Sequence, residues 1–324
     1  MASPNSTFTE IVTTTLREHP SEISDNVSLN NALYSRMQKK GNIKKVDGGY
    51  EIVRPLDYAQ NATFQRFSGF DTLNVGASEV LSAAKYDWCQ AAVHVVASGR
   101  ELRMNSGANQ IANLAKARLK NAIRTAANYM SIDLYSSGAL TNQMGGLASV
   151  VSTDGTGTVG GIVAGTYTWW KNQFREISTT NAWTKSTIKG EMNALWLNCV
   201  RGADKPDLIV SSNDFYAAYW ESLQDLQRFN DSANGSTAGA GFPSLKFASA
   251  DVIFDSNSNF STTAERMYFL NTDYLEMVVH TDANWTQADD KMSVNQDAVV
   301  IPLLWMGNLV CSNRSLQGVL LDAT

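Results

Sequence analysis

The chain has 324 residues, of which 44% are hydrophobic and 18% charged, so it can bury the core of one large domain or of two smaller ones. Its net charge of −5 and its pI of about 5.3 exclude the strongly basic surface with which a protein wraps nucleic acid. Cys89, Cys199 and Cys311 lie far apart and form no CxxC pair, which indicates buried free thiols in a reducing compartment.

The N-terminal segment, residues 1–40, carries scattered apolar residues among Ser, Thr and Asn. It has no basic stretch followed by an apolar run, so we predict no secretory signal and expect a soluble protein made inside the cell. A helix is possible over residues 29–39, but the segment has too few apolar residues to close a core alone. We therefore predict an arm that lies on another surface.

Residues 41–100 are rich in strand-forming sequence. The turn signal DGG at residues 47–49 precedes YEIVRPLDYA, and the β-branched run AAVHVVAS occupies residues 91–98. The sequence between these runs contains Phe64 and Arg66 but no apolar stripe that could face a core. This pattern predicts a two-stranded excursion from the body of the protein. Because an isolated hairpin is only marginally stable in water, we expect a partner surface to stabilise it.

The longest periodic stretch is residues 107–138, where apolar residues recur at intervals of three and four, at Ile111, Ala115, Leu119, Ala122, Ala126, Met130 and Leu134. Asn105 and Ser106 are candidate N-caps, and Gly138 is a candidate stop. The stretch contains no proline, and a helix of about 26 residues would be roughly 40 Å long. It is too polar to cross a membrane, so we predict a long helix against which other elements lie.

A second face of this helix is basic, with Lys116, Lys120 and Arg124 four residues apart and Arg118 beside them. Two functional roles are open for this face, namely contact with phosphate groups or pairing with acidic residues of a neighbouring subunit. The charges alone favour a solvated surface.

The segment after the long helix, residues 144–170, is rich in glycine. Gly155, Gly157 and Gly160 match the GxGxxG pattern of dinucleotide-binding proteins. The residues that follow, GIVAGTYTWW, are typical of a strand rather than a helix, and no βαβ unit surrounds them. No Lys-Ser or Lys-Thr pair follows, which also excludes a P-loop. We interpret the segment as a flexible glycine-rich turn.

Residues 184–228 predict a helix, a strand and a second helix. The first helix follows a cap at Thr184 or Ser186, and its apolar positions are Ile188, Met192, Leu195, Trp196 and Cys199. DLIV at residues 207–210 is predicted to be a buried strand, and the second helix has its apolar positions at Phe215, Tyr219, Leu223 and Leu226. A loop rich in Gly, Ser, Asn and Ala follows at residues 230–243, and the remaining sequence supplies further strands. The predicted fold class is α+β, with a long helix, a hairpin excursion and a compact α/β lobe.

A search for catalytic or ligand-binding residues gives none. The histidines His19, His94 and His280 are in no metal-binding spacing, and we interpret them as structural. Asp289 and Asp290 lie in a polar loop, where adjacent carboxylates are usually solvated rather than an acid–base pair. No GxSxG motif and no cysteine with a convincing histidine partner is present. We therefore predict no catalytic, cofactor-binding or metal-binding residues, no cofactor, and a protein that is not an enzyme.

Several segments of the sequence are similar to segments of one known protein family. They are GGLASVVS, TVGG and YTWWKN after the long helix, PDLIVSSNDFYAAYWESL in the lobe, MYFLNTDYLEMVVH beyond it, and WMGNLVCSNRSLQGVLLDA at the C-terminus. In these segments, and in the order of parts across nearly its whole length, the chain resembles the major capsid proteins of tailed phages with the Hong Kong 97-like fold.

The resemblance implies five parts, which are an N-terminal arm (residues 1–40), an extended loop with its base (41–98), a peripheral domain with a spine helix (99–180), an axial domain (181–295) and the closing strands of the peripheral domain (296–324). The extended β-hairpin loop, about residues 48–92, would lie over a neighbouring subunit, and the arm would clasp an adjacent one. The axial domain would surround the axis of a capsomer, with the loop at residues 230–243 near that axis.

The implied function is that of a major capsid protein, which self-assembles into hexamers and pentamers and forms the icosahedral head shell around phage double-stranded DNA. The implied partners are other copies of the chain, the packaged DNA through weak non-specific contacts, and scaffolding, portal and decoration proteins, with no membrane. The implied location is the virion, with assembly in the cytoplasm of a bacterial host.

Two features of some family members are not expected here. The 40 residues before the extended loop are too few for a long N-terminal scaffolding segment, so a separate scaffold or none is expected. Residues 48–71 contain no lysine, so we do not expect the lysine–asparagine bond that joins subunits in other members.

Two alternatives stay open at this point. An encapsulin-like bacterial compartment would have the same fold, and cargo enzymes that co-purify with the shell would favour it. An enzyme with an unrecognised site is the other alternative, which a shift of melting temperature with a small metabolite would support.

Overall fold

The computed structural model of the protein describes residues 31–98, 100, 108–177, 184–224, 245–255, 265–287, 291–292 and 298–322. Its helices are α1 (Ala32–Lys40), α2 (Ala108–Tyr135), the single turn α3 (Leu147–Val150), α4 (Ile188–Cys199) and α5 (Asn213–Gln224). Its strands are β1 (Ile43–Val46), β2 (Ile52–Asp57), β3 (Leu81–Tyr86), β4 (Cys89–Ser98), β5 (Thr158–Val159), β6 (Ile162–Val163), β7 (Gln173–Ile177), β8 (Leu208–Ser211), β9 (Leu245–Phe247), β10 (Ala250–Phe254), β11 (Arg266–Leu270), β12 (Leu275–Gln287), β13 (Lys291–Met292), β14 (Ala298–Cys311) and β15 (Gly318–Asp322). This mixture of helices and separate sheets is the α+β class that the sequence predicts.

One sheet is built around the long strand β14. Within the described residues its order is β1–β12–β14–β13, and β4 pairs with β14 on the opposite side from β12. The β4 pairing is antiparallel over ten residues, from Ala298 opposite Ser98 to Gly307 opposite Cys89. β1 runs parallel to β12 at one edge, so the chain leaves this sheet after β1 and returns to it at β4. The excursion between these strands is the extended hairpin.

The long helix α2 lies along β4. It has 28 residues, or about 42 Å at 1.5 Å per residue. The predicted apolar stripe is confirmed wherever its side chains are described, at Leu119, Ala122, Ala126, Met130 and Leu134. The side chains of Ile111 and Ala115, and the predicted caps Asn105 and Ser106, lie outside the described residues. No helix in the described part of the chain is long and apolar enough to cross a membrane.

Glycines let the chain turn back where α2 ends. The predicted stop, Gly138, has a φ of +70°, in the left-handed region that favours glycine. Eight residues later Gly146 lies directly on the last turn of the helix, because a Cβ there would be 2.3 Å from the carbonyl oxygen of Asp133. The chain therefore leaves α2 in a tight turn that packs on the helix end.

The other sheet has six strands, in the order β7–β15–β11–β8–β10–β9 within the described residues. Helix α4 packs against it and buries the five side chains predicted for that helix, Ile188, Met192, Leu195, Trp196 and Cys199. The close approach of α4 depends on Gly318 in β15, since a Cβ there would lie 2.6 Å from the sulfur of Cys199. The buried strand predicted at residues 207–210 is β8, all four residues of which are buried.

Helix α1 belongs to the core that joins the two sheets. Asn31 caps it through a side-chain oxygen that accepts a hydrogen bond from the backbone N–H of Tyr34 at 2.9 Å, and Gly41 ends it with a φ of +76°. Leu33 and Met37 are fully buried in one core with side chains of α2 and of both sheets.

The position of α1 changes the extent of the predicted arm. The sequence predicts a helix at residues 29–39 but assigns it to an arm on another surface. Residues 32–40 pack inside their own subunit, because the body of the chain supplies the apolar surface that the N-terminal segment lacks. An arm can therefore comprise only residues before Asn31, and residues 1–30 lie outside the described part of the chain.

A polar network fixes the junction between the sheets. The amine of Lys40 at the end of α1 lies 3.0 Å from a carboxylate oxygen of Asp207 and 2.7 Å from one of Asp273. The side chain of Gln317, which is fully buried, donates to the backbone carbonyl of Asn271 at 3.1 Å and accepts from its N–H at 2.9 Å. These contacts join segments distant in sequence, so the two sheets form one body.

The sheets divide the chain differently from the predicted domain boundaries. β12, within the predicted axial range 181–295, pairs with β14 in the five-stranded sheet. β7 and β15, within the predicted peripheral ranges 99–180 and 296–324, pair with each other in the six-stranded sheet. The three strands thus pair across the predicted boundaries, because sequence order does not reveal which distant segments pair. The domain boundaries stay a prediction.

Candidate assembly surfaces

The extended hairpin is the most exposed part of the described chain. Strands β2 and β3 pair antiparallel from Ile52 opposite Tyr86 to Asp57 opposite Leu81, which confirms the predicted two-stranded excursion. Residues 58–80, here called the tip, continue beyond the strands without regular secondary structure.

Side chains of the tip hold its shape in place of a core. The amide group of Gln65 donates to the carbonyl of Thr72 at 3.0 Å and accepts from the N–H of Asn74 at 3.2 Å. The hydroxyl oxygen of Ser78 accepts from the N–H of Ala62 at 3.3 Å. The two limbs of the tip are therefore joined to each other, so the tip is a defined loop.

The tip exposes a group of large apolar side chains. Phe64 and Phe67 are 79% and 64% exposed, Phe70 is fully exposed, and Leu73 and Val75 are exposed as well. Burying one such side chain contributes roughly 1.5–3 kcal/mol, and contiguous exposed apolar patches are typical of interaction sites. The tip is therefore a candidate surface for contact with another protein surface.

The base of the hairpin, in contrast, is packed. Ile52, Leu56, Ala84 and Tyr86 from its two strands form a small core with Trp170 and with β12 and β14. The hydroxyl of Tyr86 donates to the carbonyl of Cys311 at 2.8 Å and accepts from the N–H of the same residue at 3.2 Å. Burial raises the pKa of Tyr86 far above its usual value, so this hydroxyl stays protonated.

Charged and aromatic contacts also attach the base. Glu276 of β12 pairs with Arg54 of β2 and with Lys44 of β1, each at 2.6 Å. The ring of Tyr58, just beyond β2, stacks on Trp169 with their centroids 5.3 Å apart. The hairpin is therefore fixed to the subunit at its base, while Phe64, Phe67 and Phe70 of its tip are exposed.

The glycine-rich segment packs against this base. The predicted turn is confirmed, because β5 and β6 pair across Gly160 and Gly161, whose φ values are +60° and +74°. The strand predicted after it is limited to Ile162–Val163, since the chain continues into turns and a 3₁₀ turn at Thr168–Trp170. A two-residue turn with both φ values positive matches the twist of a hairpin and favours glycine. The GxGxxG pattern is thus a hairpin turn and contains no helix N-terminus for a phosphate.

The basic face of α2 is largely solvated. Arg118 donates to the carbonyl of Val96 at 2.5 Å, which ties α2 to β4. Lys120 and Arg124 are exposed and have no acidic partner among the described residues. The side chain of Lys116 lies outside the described residues.

None of the candidate chemical groups that the structure describes lies in a metal-binding cluster. His94 is on the exposed face of β4, and His280 packs edge-on against Trp88 and accepts from the N–H of Asp282 at 3.1 Å. His19, Asp289 and Asp290 lie outside the described residues. The described part of the chain has no group of three His, Cys, Asp or Glu side chains that could hold a metal ion.

The three cysteines are free, as the sequence predicts. Cys199 and Cys311 are buried, and burial raises the pKa of each thiol to about 12. Cys89 is half-buried, and burial raises its pKa too. All three thiols are therefore protonated near neutral pH and are poor nucleophiles.

Sequence reasoning noted Phe64 but missed the rest of the apolar tip. The signal that could have found it is an aromatic residue at every third position, Phe64, Phe67 and Phe70, in a run otherwise rich in Ser, Gly and Asn. Arg314, a fully buried cation in a 3₁₀ turn (Arg314–Leu316), was also missed. Its surroundings come from segments about 160 residues away, so no local pattern marks it.

A comparison with protein-family models gives no match, and a comparison with curated proteins gives none either. Solved structures do match. The capsid asymmetric unit of cyanophage A-1(L) is 12% identical, with a TM-score of 0.58 over 88% of this chain and 92% of that one. A structure of Mycobacterium phage Bobi is 10% identical, with a TM-score of 0.54 over 91% of each chain.

A third match is the SrpI encapsulin of Synechococcus elongatus PCC 7942, which is 9% identical, with a TM-score of 0.50 over 86% of this chain and 84% of that one. At identities this low, the structural similarity establishes the fold alone. The function has to be argued from the surfaces described above. The chain therefore has the Hong Kong 97-like fold of tailed-phage capsid proteins.

Proposed function

We propose that this chain is a major capsid protein that self-assembles into hexamers and pentamers and forms the icosahedral head shell around phage double-stranded DNA. The observation that carries the proposal is the apolar tip at residues 58–80, on a chain whose fold is that of phage capsid proteins. Three exposed Phe side chains on one loop are unfavourable in water, and a second copy of the chain would cover them.

The tip would lie over the five-stranded sheet and α2 of a neighbouring subunit, which together correspond to the proposed peripheral domain. The six-stranded sheet with α4 and α5 would form the axial domain around the capsomer axis. Exposed Leu197 of α4 and Trp220 of α5 support a subunit contact there, since both are large apolar side chains on that lobe. Residues 1–30 would clasp an adjacent subunit.

Packaged DNA would contact the shell weakly. Lys120 and Arg124 on α2 are exposed cations, but the whole chain carries a net charge of −5. A strongly basic wall would bind DNA tightly and oppose both packaging and ejection, whereas salt-screened contacts permit both. We place the protein in the virion after assembly in a bacterial cytoplasm. Its further partners would be a portal and separate scaffolding or decoration proteins. We assign it no enzymatic activity.

The second candidate function is an encapsulin-like compartment that encloses cargo proteins. The specific observation in its favour is the similarity to the SrpI encapsulin over 86% of this chain. The cyanophage capsid is the better match in TM-score, 0.58 against 0.50, so we place the phage capsid first.

The experiment is to express the full chain in bacteria and to examine it by negative-stain microscopy and size-exclusion chromatography. We expect closed shells or capsomer rings, which deletion of the tip's apolar side chains should abolish. Mass spectrometry of purified shells separates the two candidates, because stoichiometric cargo enzymes would indicate a compartment. A chain that stays monomeric with every scaffold tested would contradict both.

A further inference from the structure

Residues 150–163, here called the bracket, reach the base of the extended hairpin in two ways. Val159 and Ile162 share its small core, and Gly160 makes the closest contact. The carbonyl of Gly160 accepts a hydrogen bond from the N–H of Lys85 in β3 at 2.9 Å. A Cβ on Gly160 would lie 2.7 Å from the Cβ of Ala84, closer than real Cβ contacts allow. The bracket and the hairpin therefore meet backbone to backbone, with no room for a side chain at Gly160.

Arg314 holds the other end of the bracket. Its guanidinium group is fully buried and donates to the carbonyl of Val150 at 2.6 Å, to the hydroxyl of Ser152 at 2.8 Å and to the carbonyl of Thr156 at 2.7 Å. No acidic side chain forms an ion pair with it in the described part of the chain. These three bonds use Nε and Nη2, whereas Nη1 is buried and has no hydrogen-bond partner among the described residues. Because charge-assisted hydrogen bonds are strong, the three acceptors hold the backbone between residues 150 and 156.

The two ends of the bracket are joined by further contacts. The buried amide of Asn172 donates to the carbonyl of Ser152 at 2.8 Å, and the indole N–H of Trp170 donates to the carbonyl of Val159 at 3.0 Å. Trp170 is also part of the core beneath the hairpin. A displacement at Arg314 would therefore be passed along the bracket to Gly160.

We propose that the bracket is a positioning device, in which Arg314 fixes the bracket and Gly160 fixes the direction in which the extended hairpin leaves the subunit. The strands of the hairpin are six residues, or about 20 Å, long, so a change of 10° at the base would move the tip by roughly 3–4 Å. A shift of that size would misplace an apolar contact on a second copy. The importance of the hairpin direction for assembly rests on the proposed capsid function. The fixing of that direction by Arg314 and Gly160 does not depend on it.

The test compares Gly160→Ala with Gly161→Ala in dissociated full-length subunits. Both glycines have positive φ, so both variants carry a similar backbone strain, but the space around Gly161 is open. Two readouts report on the hairpin, namely hydrogen exchange of the Lys85 amide and the distance between spin labels on Arg66→Cys in the tip and Lys120→Cys on α2, measured with Cys89 replaced by Ser.

We expect G160A to speed exchange at Lys85 by at least tenfold and to shift the label distance by several ångströms, whereas G161A changes neither. Adding Ala84→Gly to G160A should restore both readouts, because it removes the methyl group that the new Cβ meets. Arg314→Lys should broaden the distance distribution, since one amine cannot reach the three acceptors.

Equal exchange and equal distances in G160A and G161A would overturn the proposal. If G160A alone does not fold, the double variant G160A/A84G replaces it in the test. A double variant that folds but has a displaced hairpin would also overturn the proposal. A label-distance distribution in R314K that equals that of the wild type would show that Arg314 does not position the hairpin. Since every readout uses the dissociated subunit, failure here is distinguishable from failure of shell assembly.

Discussion

Phe269 and Phe70 have the same side chain in opposite surroundings. Phe269 lies in β11 of the six-stranded sheet and is fully buried, while Phe70 lies in the tip and is fully exposed. The body of the subunit buries its apolar residues without help, because two sheets and the five helices share its cores. The tip has a defined shape but no core, so its apolar residues contribute free energy only when a second surface covers them.

The largest expected effect is that of Phe269→Ala in the body. Removing a fully buried Phe side chain leaves a cavity and should lower the free energy of unfolding by about 3–5 kcal/mol. Urea denaturation of the dissociated subunit, followed by circular dichroism, measures it. A loss below about 1 kcal/mol would mean that the six-stranded sheet is not packed as described.

Its matched counterpart is Phe70→Ala in the tip, which should act on assembly alone. An exposed substitution changes subunit stability by no more than about 0.5 kcal/mol. The triple variant F64S/F67S/F70S should abolish shells in negative stain, and F70A should reduce their yield severalfold. A triple variant that assembles like the wild type would remove the tip from the subunit contact.

Deleting residues 1–30 should also separate folding from assembly. The deletion leaves α1 with its cap at Asn31, so the melting temperature of the subunit should fall by no more than a few degrees. Shell yield, measured by sedimentation, should fall at least tenfold if this segment clasps a neighbour. Equal losses of folding and assembly would indicate that the segment belongs to the subunit core.

The smallest effect is expected at Asp133, in the last turn of α2. Burial raises the pKa of its carboxyl group, although a hydrogen bond from Gln143 acts in the opposite direction. The folded state thus binds the proton more tightly than the unfolded state, so the charged carboxylate destabilises the fold at neutral pH. It also adds negative charge at the end of a helix that favours cations.

Asp133→Asn should therefore raise the free energy of unfolding at pH 7 by about 0.5–1 kcal/mol. The gain should shrink as the pH falls through the raised folded pKa and then through the unfolded value of about 3.9, below which both states are protonated. Denaturation curves of the two proteins between pH 3.5 and pH 8 check this. A difference in the free energy of unfolding between D133N and the wild type that widens on acidification would contradict a raised pKa for Asp133.

The elements that the sequence predicts well are those whose signal is local. The stripe from Leu119 to Leu134 and the five apolar positions of α4 follow the helical period, and both are buried as predicted. The glycine turn at Gly160 and Gly161 depends on backbone preferences that neighbouring residues reveal.

What the sequence does not reveal depends on contacts between distant segments. Nothing near Gly318 indicates that β15 pairs with β7 rather than with β14, because the pairing joins residues about 145 apart. The roles of Arg314 and Gln317 arise in the same way, from hydrogen bonds with backbone groups on segments distant in sequence. Exposure of the Phe side chains in the tip is equally non-local, since it depends on which distant elements fold against the tip, and in the described part of the chain none covers them.

The most direct test of the account is hydroxyl-radical footprinting of Phe64, Phe67 and Phe70 in purified assemblies and in dissociated subunits, with buried Phe269 as the internal reference. We predict strong labelling of the three tip residues in the subunit, a severalfold decrease on assembly, and weak labelling of Phe269 in both states. Equal labelling of the tip in both states would contradict the claim that a second copy of the chain covers it.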